Sequence, residues 1–217
     1  MRDFDVILFD AGGVLVLPDP TVLGPLLAYF GGEASIEVHA RAHYHAMAVK
    51  SGAGMGEAFW AEYQAAYVRY VGVDDRDAAV AARALDATFN AFLWRWPIGE
   101  SVAALRDLHA GGMPIGIVSN AHGQIEETLR RSGACQVGQG SHTPVRCVVD
   151  SHVVGVSKPD PRIFALAIER CRLDPARTVF IDDSLRNVEA GRNAGLHALH
   201  FRDPQQLRAD LNRLGML

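Results

Sequence analysis

The feature that most constrains the fold is a set of short apolar runs, each stopping at a small polar or acidic residue. Val6-Ile7-Leu8-Phe9 stops at Asp10, Ile115 to Val118 at Ser119-Asn120, and Val179-Phe180-Ile181 at Asp182-Asp183. Each run is too short for a globular helix and rich in strand formers, so each reads as a buried strand. Cys147-Val148-Val149 and His197 to Leu199 read as two more. Helical patterns lie between them. Residues 102–108 are ended by Gly111-Gly112, and 125–129 close near Gly133. Asp160 caps a helix that starts at Pro161, Gly195 stops 185–194, and 205–214 forms the last helix. This alternation predicts an α/β fold, a parallel sheet covered on both faces. The C-terminal strand ends of such a sheet share one edge, where ligands bind. Asp10, Ser119, Asn120, Asp182 and Asp183 are expected to converge there. Segment 134–146, with Gly138, Gly140 and Pro144, reads as a loop.

The character changes between 20 and 96, where alanine and aromatic residues dominate. Segments 34–49, 56–70 and 76–93 read as helices, with breaks at 51–54 and 72–75. The expected domains are an α/β core of 1–19 with 97–217 and a helical unit of 20–96. Trp60, Trp94 and Trp96 all fall in the helical unit and read mainly as packing residues. His39 and His43 share a helical face near His45, but no HExxH motif exists. They read as partly exposed helix histidines rather than a zinc pair.

Composition narrows the partners. The 217 residues are 49% hydrophobic, enough for a sizeable core. Twenty-one basic against 25 acidic residues leave a charge of -4, which argues against a general grip on nucleic acid. No long apolar run suggests a membrane span or leader, so a cytoplasmic chain with a small-molecule substrate is expected. The three cysteines, Cys135, Cys147 and Cys171, include no CxxC pair. The expectation is structural thiols in a reducing compartment, with no disulfide framework.

The strand-end residues carry the chemistry. Asp10, followed by Gly12-Gly13, is placed to act as a nucleophile and metal ligand, or as a turn cap. Asp182 and Asp183 are adjacent carboxylates that need a cation or donors; Mg²⁺ suits them, and a helix cap is the plainer reading. Ser119 and the backbone of Asn120 suit a phosphate, or simply a turn. Lys158 is one of two lysines, with Lys50, among 21 basic residues. In Lys158-Pro159-Asp160-Pro161 it is a stiffly held point charge for a phosphate or carboxylate, or a solvated lysine.

Taken together these pieces resemble the haloacid dehalogenase-like hydrolase superfamily. The matching pieces are Phe9-Asp10-Ala11-Gly12-Gly13-Val14-Leu15, Val118-Ser119-Asn120, Ser157-Lys158-Pro159-Asp160-Pro161 and Ile181-Asp182-Asp183-Ser184-Leu185-Arg186-Asn187. Their order and spacing cover nearly the whole chain. The resemblance implies a Rossmann-like parallel core with a helical cap inserted after the first strand. It implies that Asp10 attacks phosphorus and forms an aspartyl-phosphate. Ser119 and the Asn120 backbone bind the phosphoryl oxygens, and Lys158 neutralises the phosphate and orients Asp10. Mg²⁺ is held by Asp10, the Gly12 carbonyl and Asp183, with Asp182 in support.

Gly12 is the departure. Phosphatases of this family usually carry aspartate there, to protonate the leaving oxygen and activate water. Glycine keeps the carbonyl ligand but not the acid, so alkyl phosphates are expected to react slowly; His122 is a distant substitute. Three other readings fit the gap. The related 2-haloacid dehalogenases lack the second aspartate but have a bulky aromatic there and need no Mg²⁺. Phosphonoacetaldehyde hydrolases have alanine there and a cap lysine, a role in which Lys50 is placed plausibly. The fold also occurs as a non-catalytic binding or regulatory module.

Overall fold

The computed structural model describes residues 3–53 and 60–217. It divides into two compact units, one of 1–16 with 97–217 and one of 17–96.

The first unit is built on a five-stranded parallel sheet. Its strands are β1 (Val6–Phe9), β4 (Ile115–Ser119), β7 (Cys147–Asp150), β8 (Thr178–Asp182) and β9 (His197–His200), in the order β7-β4-β1-β8-β9. All four β1 side chains are buried, as a central strand covered on both faces requires. Each such burial is worth about 1.5–3 kcal/mol. Leu8 sits opposite both Gly116 and Phe180. A Cβ on Gly116 would lie 2.7 Å from the Leu8 side chain and 3.0 Å from Cys171 Sγ, so only glycine lets the layers close here. Helices α5 (Gly99–Ala110), α6 (Ile125–Ser132), α8 (Pro161–Cys171), α9 (Leu185–Asn193) and α10 (Pro204–Arg213) alternate with the strands. Asp160 caps α8 by accepting from Arg162 N, with Pro161 in the first turn, and Gly133 ends α6 in the left-handed conformation.

The second unit is helical. It contains α1 (Pro20–Ala28), α2 (Ile36–Ala53), α3 (Trp60–Tyr70) and α4 (Asp75–Thr88). The chain passes between the units through two short strands that pair with each other, β2 (Val16–Pro18) and β3 (Trp94–Pro97). Leu23, Leu27, Tyr63, Tyr67, Val68 and Leu85 form its core, with Trp60 and Trp94 packed against them.

Several details differ from the sequence expectations. The expected helix of 56–70 starts at Trp60 among the described residues, and its first four positions lie outside them, as does Gly54 of the expected break. The rest of that break, 51–53, continues α2, because no proline intervenes. The expected helix of 76–93 ends at Thr88, where Asn90 Oδ1 accepts Phe92 N and turns the chain into β3. At Pro18-Asp19-Pro20 β2 ends and α1 begins. Asp19 accepts from Thr21 N as the cap, and Pro20 occupies the first turn, where its missing N–H does no harm. The loop of 134–146 holds two paired two-residue strands, β5 (Gln136–Val137) and β6 (Pro144–Val145), too short to leave a pattern. A one-turn helix, α7 (Ser151–Val154), follows β7.

Cys147 and Cys171 lie side by side, their Cα atoms 5.9 Å apart across 24 residues of sequence, and Cys135 is a buried thiol. They meet because α8 returns its C-terminus to β7. One expectation about side chains is overturned. His39 and His43 are buried at 2% and 1%, not partly exposed. His43 Nδ1 pairs with the Tyr63 hydroxyl at 2.8 Å. His39 Nε2 meets the Glu33 carbonyl at 3.0 Å and Nδ1 the Tyr67 hydroxyl at 2.8 Å. A carbonyl only accepts, so Nε2 of a neutral His39 carries the proton and Nδ1 accepts from Tyr67.

Burial holds the His39 pKa below its usual value, against the upward pull of Glu33. An unfolded chain therefore binds a proton at a higher pH than the folded one. Stability is fully present above the unfolded pKa near 6.5 and falls as pH drops below it, by at most about 1.4 kcal/mol per pH unit. The melting temperature of the wild type is expected to fall between pH 7 and pH 5 more steeply than that of His39→Gln. Parallel curves would remove His39 as the cause.

Candidate active site

The sheet order changes direction at β1 and β8, and the site lies at their C-terminal ends. Asp10 is the first residue after β1, its N–H donating to Ile181 O at 2.8 Å. Gly13 follows with φ 76°, a left-handed position that lets the chain turn at once, and its N–H returns to Val16 O. Asp182 ends β8 and Asp183 follows it. Oxygen atoms of Asp10, Asp182 and Asp183 all lie within 4.8 Å of one another, and all three residues are buried.

Lys158 stands among them. Its side chain is 0% exposed, and Nζ donates to Val118 O at 2.8 Å and to Asp182 Oδ2 at 2.6 Å. Nζ is also 2.9 Å from Asp10 Oδ1. An ammonium has three donors, and these partners use all three. Burial works against the charge of Lys158, but Asp10 and Asp182 outweigh it and hold its pKa above the usual lysine value. One ammonium paired with two of three clustered, buried carboxylates leaves excess negative charge, and Asp10 shows it. Burial, against the pull of Lys158 but reinforced by Asp182 and Asp183, pushes its pKa up to about 8.

Asp182 is tied down at both oxygens. Its Oδ1 accepts Ser184 N at 2.8 Å, and Asn187 Nδ2 donates to both oxygens at 3.1 and 3.2 Å. With Lys158 added, its acceptor sites are largely filled within the protein. Asn187 reaches back to Asp182 from the third position of α9. The Asp183 carbonyl pairs with His200 Nε2 at 3.1 Å, from the end of β9.

Ser119 ends β4, beside β1, and is buried. The turn after it is shaped by β7, whose Asp150 sits in register with Ser119. Asp150 Oδ2 accepts Gly123 N at 2.9 Å and Ile125 N at 3.3 Å, while Ser151 Oγ accepts Ala121 N at 3.0 Å. Neither residue stands out in the sequence, because their role appears only once β7 lies beside β4. His122 is exposed on this turn. Lys50 belongs to the other unit, its Nζ 3.6 Å from the centre of the Trp60 ring. Gly12, two residues past Asp10, brings no side chain to the site.

The donor set suits a small hard cation. It offers only carboxylate and carbonyl oxygens, and its charge exceeds what Lys158 neutralises. The cluster of Asp10, Asp182 and Asp183 could hold a divalent cation, and Asp182 is also engaged by Lys158, Ser184 and Asn187.

Comparisons with known proteins agree with this geometry. Residues 4–195 match the model of the haloacid dehalogenase-like hydrolase family. N-acetylmuramic acid 6-phosphate phosphatase of Pseudomonas putida is 35% identical over 91 residues, 42% of this chain and 38% of that protein. The matched part spans only 6% to 54% of the length of the first three curated relatives. The fold is similar to that of L-2-haloacid dehalogenase from Xanthobacter autotrophicus with chloropropionic acid covalently bound. That likeness has a TM-score of 0.53 and 18% identity, and covers 97% of this chain and 83% of the other. It is also similar to a haloacid dehalogenase family enzyme from Bacteroides thetaiotaomicron in complex with magnesium and inorganic phosphate. There the TM-score is 0.51 and the identity 17%, covering 91% of this chain and 93% of the other. With the match running from before the first strand to the end of α9, the chain belongs to the haloacid dehalogenase-like hydrolase family.

Proposed function

We propose that the chain is a Mg²⁺-dependent hydrolase of small phosphate monoesters that works through an aspartyl-phosphate on Asp10. The observation that carries this reading is a cluster of three buried carboxylates, two of which, Asp10 and Asp182, share one fully committed ammonium. A carboxylate approaches a phosphate dianion only where positive charge screens both. Lys158 supplies part of that charge and fixes the Asp10 oxygen it contacts. Mg²⁺, held by Asp10, Asp183 and the Gly12 carbonyl with Asp182 in support, would supply the rest. Lys158 contributes to phosphate binding through its field rather than a spare hydrogen bond, since its three donors are engaged. Ser119 Oγ and the Asn120 N–H would hold the phosphoryl oxygens.

Attack by an Asp10 oxygen on phosphorus forms the acyl phosphate, and the ester P–O bond breaks with its electron pair on the leaving oxygen. Water then cleaves the acyl phosphate, restoring the carboxylate and releasing phosphate. With glycine at position 12, no side chain there protonates the leaving oxygen. Esters whose leaving groups are stable anions therefore react best.

A second reading is favoured by Gly12 itself. A halide leaves without a proton, so displacement of halide from a 2-haloacid by Asp10 needs no acid at this position. The likeness to haloacid dehalogenases in fold accords with it. The two readings divide on metal, because a dehalogenase has no dianion to screen.

The test is product release from p-nitrophenyl phosphate, a panel of alkyl phosphates and 2-chloropropionate, each with Mg²⁺ or with chelator. The expected result is phosphate release from the aryl ester that chelator abolishes. Chloride release that survives chelator would establish the second reading in its place.

A further inference from the structure

The Asn120 carboxamide has a use that phosphate binding does not explain. Its Nδ2 donates to the Lys158 carbonyl at 2.8 Å, and its Oδ1 accepts the Lys158 N–H at 2.7 Å. A backbone carbonyl can only accept and a backbone N–H can only donate, so these partners fix the amide's orientation. The pair forms a closed two-bond ring between segments 38 residues apart, the kind of pairing one strand makes with another.

The other end of Lys158 is tied to the same strand. Nζ donates to Val118 O, two residues before Asn120. The end of β4 thus holds Lys158 at its main chain and at its tip, and the four-carbon stem spans the interval. A lysine stem has many rotamers, and fixing its main chain removes most of the alternatives in which Nζ misses its partners.

We infer that Asn120 is a positioning residue whose side chain holds Lys158 so that its ammonium bridges Asp10 and Asp182. This rests on the proposed function only for its effect on turnover; the coupling of Asn120 to Lys158 is a property of the fold. The carboxamide faces Lys158.

The chain has only two lysines, Lys50 and Lys158, so amine labelling read by peptide mass spectrometry follows Lys158 without substrate or metal. Lys50, half-buried in the other unit, reports on that unit, and the thiol reactivity of buried Cys135 reports on opening of the α/β unit. In the intact protein Lys158 is expected to label only through local opening. Asn120→Ala removes two hydrogen bonds and is expected to speed Lys158 labelling by about tenfold or more, with Cys135 and Lys50 unchanged. Asn120→Asp keeps the volume but sets an oxygen against the Lys158 carbonyl, and is expected to do the same. Lys158 labelling that stays at the wild-type rate in both folded variants overturns the inference. So does acceleration of Cys135 in step with Lys158, which would make Asn120 a general staple.

Turnover of p-nitrophenyl phosphate gives the second readout. Asn120→Ala is expected to lower kcat by about tenfold with KM within about twofold, and to add no loss in a Lys158→Met background. A raised KM with an additive loss would make the carboxamide a substrate ligand and overturn the inference. If the wild type turns over no phosphate ester, the proposed function fails, and the labelling result still decides this one.

Discussion

Asp10→Asn is expected to lower phosphate release by about 10⁴–10⁶-fold, the scale on which enzymes lose rate when a covalent nucleophile is removed. The substitution is nearly isosteric, and its oxygen can still accept from Lys158, so the loss is chemical rather than structural. Stability is expected to move the other way. Asp10 is a buried carboxylate whose pKa is raised to about 8, first by its burial. A folded state that holds a proton more tightly than the unfolded one loses stability as pH rises from the unfolded value near 3.8 towards 8. In chelator at neutral pH the wild type carries that penalty and Asp10→Asn does not. Its melting temperature is therefore expected to equal or exceed that of the wild type. A dead variant that melts lower would mean that Asp10 holds the fold, and the assignment of a nucleophile would lose its support.

Gly12→Asp is expected to raise turnover of alkyl phosphates by about 10²–10⁴-fold, the usual worth of a placed general acid–base group. The backbone allows the change. Gly13, not Gly12, takes the left-handed conformation, and Gly12 is only half-buried. The aryl ester serves as the internal control, because p-nitrophenolate leaves without a proton and its rate should barely change. The ratio of alkyl to aryl kcat/KM is the quantity to measure. An unchanged ratio would show that the missing side chain does not limit turnover and that another group supplies the proton.

The sheet and the positions of its polar strand ends were legible because they rest on local signals. Val6–Phe9 and Thr178–Asp182 are short, β-rich and closed by acidic residues, and Asp160-Pro161 has the chemistry of a helix start. What was not legible depends on partners far along the chain. His39 and His43 look solvated in the helix pattern, and only Tyr67 and Tyr63 of the next helix make their burial tolerable. Cys147 and Cys171 carry no spacing signal, because their approach depends on how α8 packs on the sheet. In the site, Asp150 and Ser151 shape the turn after Ser119 through contacts across 25 to 30 residues, and Asn120 reaches Lys158 across 38. Pairings of that range leave no periodicity to read.

The central claim is a covalent bond between Asp10 and phosphorus. It is tested by acid-quenching the enzyme with Mg²⁺ and p-nitrophenyl phosphate during turnover and mapping the peptides by mass spectrometry. The account predicts the added mass of one phosphoryl group on Asp10, lost on treatment with hydroxylamine and absent in Asp10→Asn. Sustained phosphate release by a wild type whose Asp10 peptide stays unmodified at every quench time, with Asp10→Asn equally active, would contradict it.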